Sequence, residues 1–378
     1  MNSHHVGAFT RDPVPGRVVF GPGSAAQTAE EITALGLRRI MVIAAGSAAA
    51  AGAALVDRLG GPVGRSGRGG RAGLVAGTFD RVRQHVPEDL AASAGHTARQ
   101  LSADGVLALG GGSAIGLAKA VALDTGALVL AVPTTYSGSE MTPIYGLTGR
   151  HKRVGRDPLA RPRLVVYDPE LTTSLPPAVT AASGFNALAH CVEALYAPGA
   201  NPLTALHATA GIRALAHSLP VAVREPTDLD ARGEALFGAF LAGGALATAG
   251  TALHHRLCHV LGGTFGLPHA EVNSVLLPHV AAFNRPAVPE AMAAVAAALG
   301  AADAAAGLHD LAVRLGAPTS LAVLGMPADG LDLAARRAVA EVGSSNPRPV
   351  DADGLRALLD DAHHGRSPVP PSPDQPDG

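Results

Sequence analysis

The sequence GVLALGGGSAIGLAKAVAL, Gly105–Leu123, joins a short apolar run to a glycine turn and then to a helix-forming segment. This order predicts a buried strand that turns directly into a helix. Glycine lets backbone N–H groups approach a phosphate, and the first turn of a helix adds unpaired donors and a favourable dipole. We therefore expect Gly111, Gly112 and Ser113 to bind a phosphate group. The alternative is a glycine turn that only joins a strand to a helix.

A second polar loop, PTTYSGSEMTPI at Pro133–Ile144, follows the next predicted strand. In open α/β sheets, ligands bind outside the carboxyl ends of the strands. Two such loops one strand apart favour a nucleotide crevice over a plain hydroxyl-rich turn, with Thr134, Thr135 and Ser137 as further cofactor contacts. The glycine loop is not GxxxxGK[ST] and lacks an obvious Rossmann acid, so a kinase-type phosphate loop is disfavoured.

The first half of the chain alternates short β-branched runs with glycine-punctuated amphipathic segments, which predicts a parallel sheet covered by helices. The predicted strands are Arg17–Phe20, Ile40–Ala44, Gly73–Val75, Gly105–Leu109, Leu128–Val132 and Leu164–Tyr167. Between them, Ser24–Leu35 and Pro87–Asp104 are predicted helices. The glycine- and arginine-rich stretch Gly60–Gly73 is predicted to be a surface loop.

From about Leu171 the β-branched strands stop, and long stretches rich in alanine and leucine follow. The predicted helices of this part are Pro177–Tyr196, Pro202–Val223, Asp230–Gly250, His254–Leu261, Val288–Leu299 and Ala302–Leu315. The change predicts an α/β dinucleotide-binding domain over residues 1–170 and an all-helical catalytic domain over residues 171–362. Residues 363–378, rich in Pro, Ser and Asp, are predicted to form a disordered tail.

The composition excludes several classes of protein. With 378 residues, 47% of them hydrophobic, and 29 Lys and Arg against 31 Asp and Glu, the chain is neither a disordered protein nor a polybasic nucleic-acid binder. Cys191 and Cys258 are too few for a disulfide framework, and no apolar run approaches the ~20 residues of a membrane span. No signal peptide is predicted either. We expect a cytoplasmic protein without nucleic-acid or membrane partners.

Histidines and one asparagine recur at helical spacing in the second half of the chain. Asn186 and His190 are four residues apart in SGFNALAHCVEAL; His255 and His259 are four apart in HHRLCHVLGGTFGLPHAE, which also holds His269. This spacing places both members of a pair on one helix face. Such a set could hold a divalent metal or supply hydrogen bonds and protons to an oxyanion. A neutral amide is a poor ligand for such an ion, so Asn186 weakens the case for a metal.

Together these motifs resemble the iron-containing, or group III, alcohol dehydrogenase superfamily over about residues 15–365, and within it the maleylacetate reductase branch. The segments that carry the resemblance are GGGSAIGLAKA, PTTYSGSEMTPI, GRDP at Gly155–Pro158, SGFNALAHCVEAL, HHRLCHVLGGTFGLPHAE and NPRP at Asn346–Pro349. The resemblance implies a dehydroquinate synthase-like, group III alcohol dehydrogenase fold. That fold has an α/β N-terminal nucleotide-binding domain with a parallel sheet, followed by an all-α C-terminal domain. A homodimer is implied as well.

The resemblance also implies the reaction, which is NAD(P)H-dependent reduction of the C=C bond of 2-maleylacetate to 3-oxoadipate in the breakdown of aromatic compounds. Superfamily members use one Asp and three His as metal ligands, and the corresponding residues here are Asn186, His190, His255 and His269. His259 corresponds to the nearby catalytic-type histidine. Asn186 replaces the ligand Asp, and Gly116 replaces an Asp of the glycine loop. Both departures fit the maleylacetate reductase branch, so no metal is expected; a bound metal would take the three histidines of the ligand set.

That reaction gives the candidate residues roles. Hydride addition to the alkene carbon β to the ketone gathers charge on the ketone oxygen as an enolate. We expect His255, His259 or both to donate a hydrogen bond or a proton to that oxygen. Asn186, His190 and His269 are expected to complete the polar lining of the site. The substrate is a dianion, and its candidate cationic partners are Arg150, Lys152, Arg153, Arg156, Arg256 and Arg348. Arg256 lies within the histidine motif, and Lys152 resembles a cofactor-contacting lysine of the superfamily.

Ser47, a further candidate cofactor contact, follows the predicted strand Ile40–Ala44, where an Asp would bind the ribose hydroxyls of NAD and repel a 2′-phosphate. The absence of an acid there permits either NADH or NADPH. Three other functions stay open. They are a metal-dependent (Fe or Zn) alcohol dehydrogenase acting on a small aldehyde or alcohol, a dehydroquinate synthase-like lyase, and a binding or sensor protein. Bound metal would favour the first, and net consumption of NADH would exclude the second.

Overall fold

The computed structural model describes residues 16–44, 46–61, 73–149 and 152–368; the side chains of Ser47, Lys152 and His269 lie outside the described part. The chain divides into two compact units. The N-terminal unit holds the described residues up to Leu175 together with 226–236, and the helical unit holds 176–225 and the described residues from Phe237 onward. The division thus falls after residue 175 rather than after residue 170, and it assigns one segment of the helical half to the N-terminal unit.

Asp168 explains why the N-terminal unit extends beyond residue 170. Its carboxylate accepts hydrogen bonds from the backbone N–H groups of Gly23 and Ala25, at 3.1 and 2.9 Å. The same carboxylate caps the 3₁₀ turn Pro169–Thr172 through the N–H of Glu170. The turn is therefore tied to the start of the chain.

The N-terminal unit is built on a six-stranded parallel sheet, which confirms the predicted α/β class. Its strands are β1 Arg17–Phe20, β2 Ile40–Ile43, β3 Val75–Phe79, β4 Gly105–Gly110, β5 Leu128–Pro133 and β8 Leu164–Tyr167, in the order β1-β8-β5-β4-β2-β3. A separate antiparallel hairpin pairs β6 Ile144–Thr148 with β7 Lys152–Arg156. The helices are α1 Thr28–Ala34, α2 Ala49–Arg58, α3 Glu88–Gln100 and α4 Gly112–Thr125.

Several predicted bounds in this unit need correction. The predicted strand Gly73–Val75 is in fact the longer Val75–Phe79, because Gly77 lies inside the strand, where a Cβ would come within 2.7 Å of the Leu101 side chain. The predicted helix Ser24–Leu35 is a 3₁₀ turn followed by α1, and Pro87–Asp104 shortens to α3. The predicted surface loop at 60–73 falls mostly outside the described residues.

The helical unit begins at α5, and four of its later helices, α8, α9, α12 and α13, share an apolar core. Its helices are α5 Pro177–Ala194, α6 Pro202–Arg224, α7 Leu229–Ala249, α8 Leu253–Phe265, α9 His269–Asn284, α10 Pro289–Leu299, α11 Ala304–Arg314, α12 Leu331–Val342 and α13 Ala352–His364. The first turns of α7 belong to the N-terminal unit. Leu257, Leu276 and Leu359, from α8, α9 and α13, are fully buried in the core beside the histidine helix.

The sequence did not predict α9, α12 and α13. The last of these runs to His364, so the first two residues of the predicted tail are helical, and residues 369–378 lie outside the described part. Pro289–Arg314 has the length and apolar composition of a membrane span, as does the bent pair α7 and α8. The first stretch is α10 and α11, separated by left-handed Gly300 and the N-cap Asp303, so no uninterrupted helix exists there.

Candidate active site

The glycine turn and the second polar loop lie side by side in the N-terminal unit. Strands β4 and β5 pair in parallel with Gly110 opposite Pro133, and the Thr134 N–H donates to the Gly110 carbonyl at 3.0 Å. A Cβ at Gly111 would lie 3.0 Å from the side chain of Thr135. Gly112 begins α4, and the N-cap residue is Gly111, which has no side chain to cap the first turn. We call the glycine turn the glycine cradle; backbone N–H groups of a glycine turn at a helix N-terminus can bind a pyrophosphate.

We expect Gly111→Ala to weaken cofactor binding. The new methyl group would press on Thr135 and displace the turn from the phosphate, so the dissociation constant for NAD(P)H should rise about tenfold or more, the cost of one or two misaligned charge-assisted hydrogen bonds. Titration of the cofactor by fluorescence measures the effect directly. Gly233→Ala is the matched control, because its Cβ meets Pro169 at an ordinary 3.6 Å. An unchanged titration for Gly111→Ala would contradict the cradle.

Gly116, the departure in the glycine loop, has a steric explanation. A Cβ at Gly116 would lie 2.9 Å from Cγ2 of Val86, a buried residue with a left-handed φ of 47°. A left-handed valine is strained and persists only where its surroundings fix it. The space that an Asp would fill at this position is therefore occupied by the valine.

A buried lysine and a buried glutamate fix the second polar loop. The ammonium of Lys119 donates to the carbonyls of Ser139 and Ile144, both at 2.7 Å, and burial lowers its pKa to about 7. Glu140 accepts from the Tyr167 hydroxyl at 2.9 Å and from Ser137 at 3.1 Å, and burial raises the pKa of its carboxyl. Neither residue was predicted from the sequence to have a role, although a lysine inside an otherwise apolar helix indicates a buried, hydrogen-bonded ammonium.

Arg232 anchors the same loop from the first turns of α7. This side chain is fully buried, and its guanidinium donates to the hydroxyl of Tyr136 at 3.0 Å and to the carbonyls of Pro226 and Leu175. Tyr136 lies between two of the predicted cofactor contacts. The loop is therefore held from two sides, by Arg232 at Tyr136 and by Lys119 at Ser139.

In the helical unit, α5 places three polar side chains on one face, at spacings of four and three residues. They are Asn186, His190 and Glu193. Glu193 is fully buried; one carboxylate oxygen accepts the backbone N–H of His254 at 2.7 Å, and the other lies 2.6 Å from Nδ1 of His255. Burial raises the pKa of this carboxyl. Glu193 is not among the residues predicted from the sequence, although it lies three residues after His190 within SGFNALAHCVEAL.

Three imidazole rings cluster beside this carboxylate. The rings of His190 and His255 are stacked, with centroids 4.7 Å apart and planes 9° from parallel, and His254 meets His255 edge-on at 5.1 Å. Nε2 of His254 lies 2.8 Å from the amide oxygen of Asn273, so we assign the ring proton to Nε2. Burial lowers the pKa of His254 to about 4, which keeps the ring neutral at physiological pH.

Acidification should destabilise the folded protein between about pH 6.5 and 4. An unfolded histidine takes up its proton near pH 6.5, whereas burial lowers the pKa of both His254 and His279 to about 4. In that window the unfolded state binds more protons, so each histidine lowers the free energy of unfolding by about 1.4 kcal/mol per pH unit. Thermal midpoints at several pH values measure the slope. His279→Gln should flatten it and exposed His96→Gln should not; equal slopes in all three proteins would contradict the account.

The described donor set does not fit a tetrahedral iron or zinc site. A metal lies in the plane of each imidazole that binds it, and the stacked, nearly parallel rings of His190 and His255 give it no shared position. Asn186 supplies a neutral amide where a carboxylate would offset the charge of the ion. Among the side chains that the structure describes, no three His, Cys, Asp or Glu groups form a ligand set. The side chain of His269 is outside that part.

The remaining candidates lie on several elements. His259 and Arg256 are half-buried on α8, and Arg153 forms an exposed ion pair with Glu88 at 3.6 Å. Arg348 stacks on Phe283 and donates to its carbonyl at 2.7 Å, so its guanidinium serves the helical unit itself. Arg156 is exposed on β7. The candidates whose side chains lie outside the described residues are Ser47, Arg150, Lys152 and His269.

Two family models match the chain. The model described as "Iron-containing alcohol dehydrogenase" matches residues 15–169, and "Fe-containing alcohol dehydrogenase family, C-terminal" matches residues 180–363. Together they cover the glycine turn, the second polar loop and the whole histidine and glutamate cluster.

Curated relatives and solved structures are similar over nearly the full length. Maleylacetate reductase from Sphingobium indicum is 47% identical over 365 residues, which is 96% of this chain and 99% of the relative. Maleylacetate reductase 2 from Cupriavidus pinatubonensis is 49% identical, covering 94% of this chain and 96% of the relative. The crystal structure of maleylacetate reductase from Agrobacterium tumefaciens has a TM-score of 0.88 at 44% identity, covering 96% and 99% of the two chains.

Proposed function

The chain belongs to the iron-containing alcohol dehydrogenase family, and from that premise we propose that it is a maleylacetate reductase. It is an oxidoreductase that uses a nicotinamide cofactor to reduce the C=C bond of 2-maleylacetate to 3-oxoadipate. The observation that carries the proposal is the 47% identity with a maleylacetate reductase over 96% of the chain. The aligned residues include the cluster of histidines and Glu193, whose hydrogen-bond donors can stabilise an oxyanion.

The reaction needs a stabilised oxyanion. When bound, the nicotinamide supplies a hydride to the alkene carbon β to the ketone, and the π electrons move onto the ketone oxygen as an enolate. A proton then reaches the carbon α to the ketone and gives 3-oxoadipate. The protein must therefore place hydrogen-bond donors around the ketone oxygen, where negative charge develops during the reaction.

His255 is the donor that the geometry supports best. The ring is buried, and Glu193 takes its Nδ1–H at 2.6 Å, which fixes the orientation of the ring and directs Nε2 away from the carboxylate. With Glu193 ionised and the ring protonated, the pair carries no net charge and can present Nε2–H to the enolate oxygen. Burial sharpens this interaction, because water does not compete for either partner.

The other members of the cluster complete the site in this proposal. His190 stacks on His255 and restricts its rotation, while Asn186 lies one turn earlier on the same face of α5. His259 is the second candidate donor, and Arg256 is the candidate partner for a substrate carboxylate, since a guanidinium binds carboxylates with two parallel hydrogen bonds. His269 stays a candidate for the polar lining of the site.

We further propose that the protein accepts NADH or NADPH, works without a metal, and is a cytoplasmic homodimer with no nucleic-acid or membrane partner. The cofactor proposal rests on the glycine cradle, and the metal proposal rests on Asn186 and the stacked rings of His190 and His255. The homodimer follows from the family resemblance. Light scattering coupled to size exclusion tests it, and a monomer would contradict it.

The proposed reaction is tested by the loss of NAD(P)H absorbance with freshly made 2-maleylacetate, with 3-oxoadipate identified by mass spectrometry. Simple aldehydes are assayed beside it. Rapid, stoichiometric cofactor oxidation with 2-maleylacetate alone supports the proposal. Turnover of aldehydes but not 2-maleylacetate would replace it with a metal-dependent alcohol dehydrogenase, and conversion without net cofactor oxidation would point to the lyase reaction.

A further inference from the structure

A cavity of about 520 Å³ opens in the N-terminal unit at the carboxyl ends of β2 and β3. The N–H of Ala44 donates to the carbonyl of Phe79 at 3.3 Å, which brings the two strand ends together. One wall is the turn at Gly46, and the others are the segment after β3 and the first turns of α3. The polar lining residues are Asp80, Arg81, Arg83, Asp89 and Ser93.

The position of the cavity in the sheet matches the adenosine half of the cofactor. Strand β2 is the immediate neighbour of β4, whose glycine turn takes the pyrophosphate in the proposed function, on which this inference rests. In doubly wound sheets the adenosine ribose lies at the end of the strand next to the phosphate-binding turn. That strand end is β2, and its cavity is the one just described.

Arg81 is held in this cavity by its neighbours. Its guanidinium lies 4.9 Å from the centre of the Phe79 ring and donates to the hydroxyl of Ser93 at 2.8 Å. Within the described chain, Arg81 has no acidic side chain at ion-pair distance, whereas Arg83 pairs with Asp89 at 2.6 Å. Of the two guanidinium groups, Arg81 is thus the one whose charge is left for a ligand.

We propose that Arg81 binds the 2′-phosphate of NADPH and makes the chain favour NADPH over NADH. A phosphate dianion is recognised by a guanidinium through two parallel hydrogen bonds. No acid follows β2 at Gly46 or Ser47 to repel the phosphate. Asp80 lines the same cavity and has the opposite effect on cofactor preference from Arg81, because its carboxylate can accept hydrogen bonds from the ribose hydroxyls of NADH. The preference is therefore set by two neighbouring residues of opposite charge.

Calorimetric binding of adenosine 2′,5′-bisphosphate and of AMP tests the proposal without any substrate. We expect the unmodified protein to bind the bisphosphate more tightly, and Arg81→Gln to lose about tenfold or more for the bisphosphate only. Asp80→Asn should raise affinity for the bisphosphate. Arg83→Gln is the matched control and should change neither ligand by more than about twofold. The ratio of kcat/KM for NADPH to that for NADH should follow the same order.

Equal losses for both ligands in Arg81→Gln would overturn the proposal, since they would place Arg81 at the adenine or the 5′-phosphate. A protein that binds AMP as tightly as the bisphosphate would overturn it as well. The outcome is separable from the proposed function. If the bisphosphate binds as expected but 2-maleylacetate is not reduced, the substrate assignment fails and the role of Arg81 stands.

Discussion

Replacing His255 by alanine lowers kcat for 2-maleylacetate by about 100-fold or more, the cost of one preorganised donor to a developing oxyanion. The KM for NAD(P)H should change little, because the glycine cradle is in the other unit of the chain and is not altered. Steady-state kinetics with saturating cofactor measure the effect. The exposed His96 on α3 is the matched control, and His96→Ala should keep full turnover. Unchanged turnover in His255→Ala would contradict the role of His255.

Glu193→Gln separates orientation from proton donation. The amide keeps an oxygen for the backbone N–H of His254 but removes the negative charge beside Nδ1 of His255. As a positioning residue, Glu193 should act through the ring. We therefore expect a lower kcat together with a pH profile whose basic limb moves to lower pH, since the imidazolium loses its counter-charge. A lower kcat with an unmoved pH profile would indicate a structural role only.

Replacing Lys119 by methionine destabilises the N-terminal unit by about 3 kcal/mol or more, because hydrogen bonds from a charged group are worth about 1.5–3 kcal/mol each. The buried ammonium donates to two carbonyls and to the hydroxyls of Ser139 and Thr142, and its charge acts against the burial that raises the pKa of Glu140. Without it, each of these buried acceptors loses its hydrogen bond from a charged donor. Thermal and urea unfolding measure the loss.

Two further variants keep that prediction testable. Arg38→Met, at an exposed site, is the matched control and should shift the midpoint by no more than a degree or two. The double variant Lys119→Met, Glu140→Gln should be more stable than Lys119→Met, because it removes the carboxylate that has lost its cation. A Lys119→Met protein as stable as the control would contradict the account of the loop.

The parallel sheet could be predicted because most of its strands are buried on both faces. Strand Leu164–Tyr167 is a continuous apolar, β-branched run, and the structure confirms its bounds; the buried strands β2, β4 and β5 end within one residue of the prediction. Strand β3 was cut short because Gly77, which makes room for Leu101, looks like a turn residue in the sequence. The hairpin of β6 and β7 was missed because it is polar, contains glycine and pairs outside the main sheet.

The sequence predicts which site residues lie together on one helix. It does not predict contacts between residues that are far apart in the sequence. Spacing of four residues groups Asn186 with His190, and His255 with His259. The contact of Glu193 with His255 joins residues 62 positions apart and has no local signal. A buried Glu beside a histidine motif was visible in the sequence, but its partner was not. Helix α9 was missed because Pro278 lies inside it, although the helix begins at His269.

The most direct test of the central claim is the rate of NAD(P)H oxidation with 2-maleylacetate by protein that has been treated exhaustively with a chelator and assayed for residual iron and zinc. We expect full turnover at a metal content far below one atom per chain, because in the proposed function His255, held by Glu193, stabilises the enolate. Loss of turnover on chelation, with recovery on adding iron or zinc, would contradict it and make the histidines metal ligands.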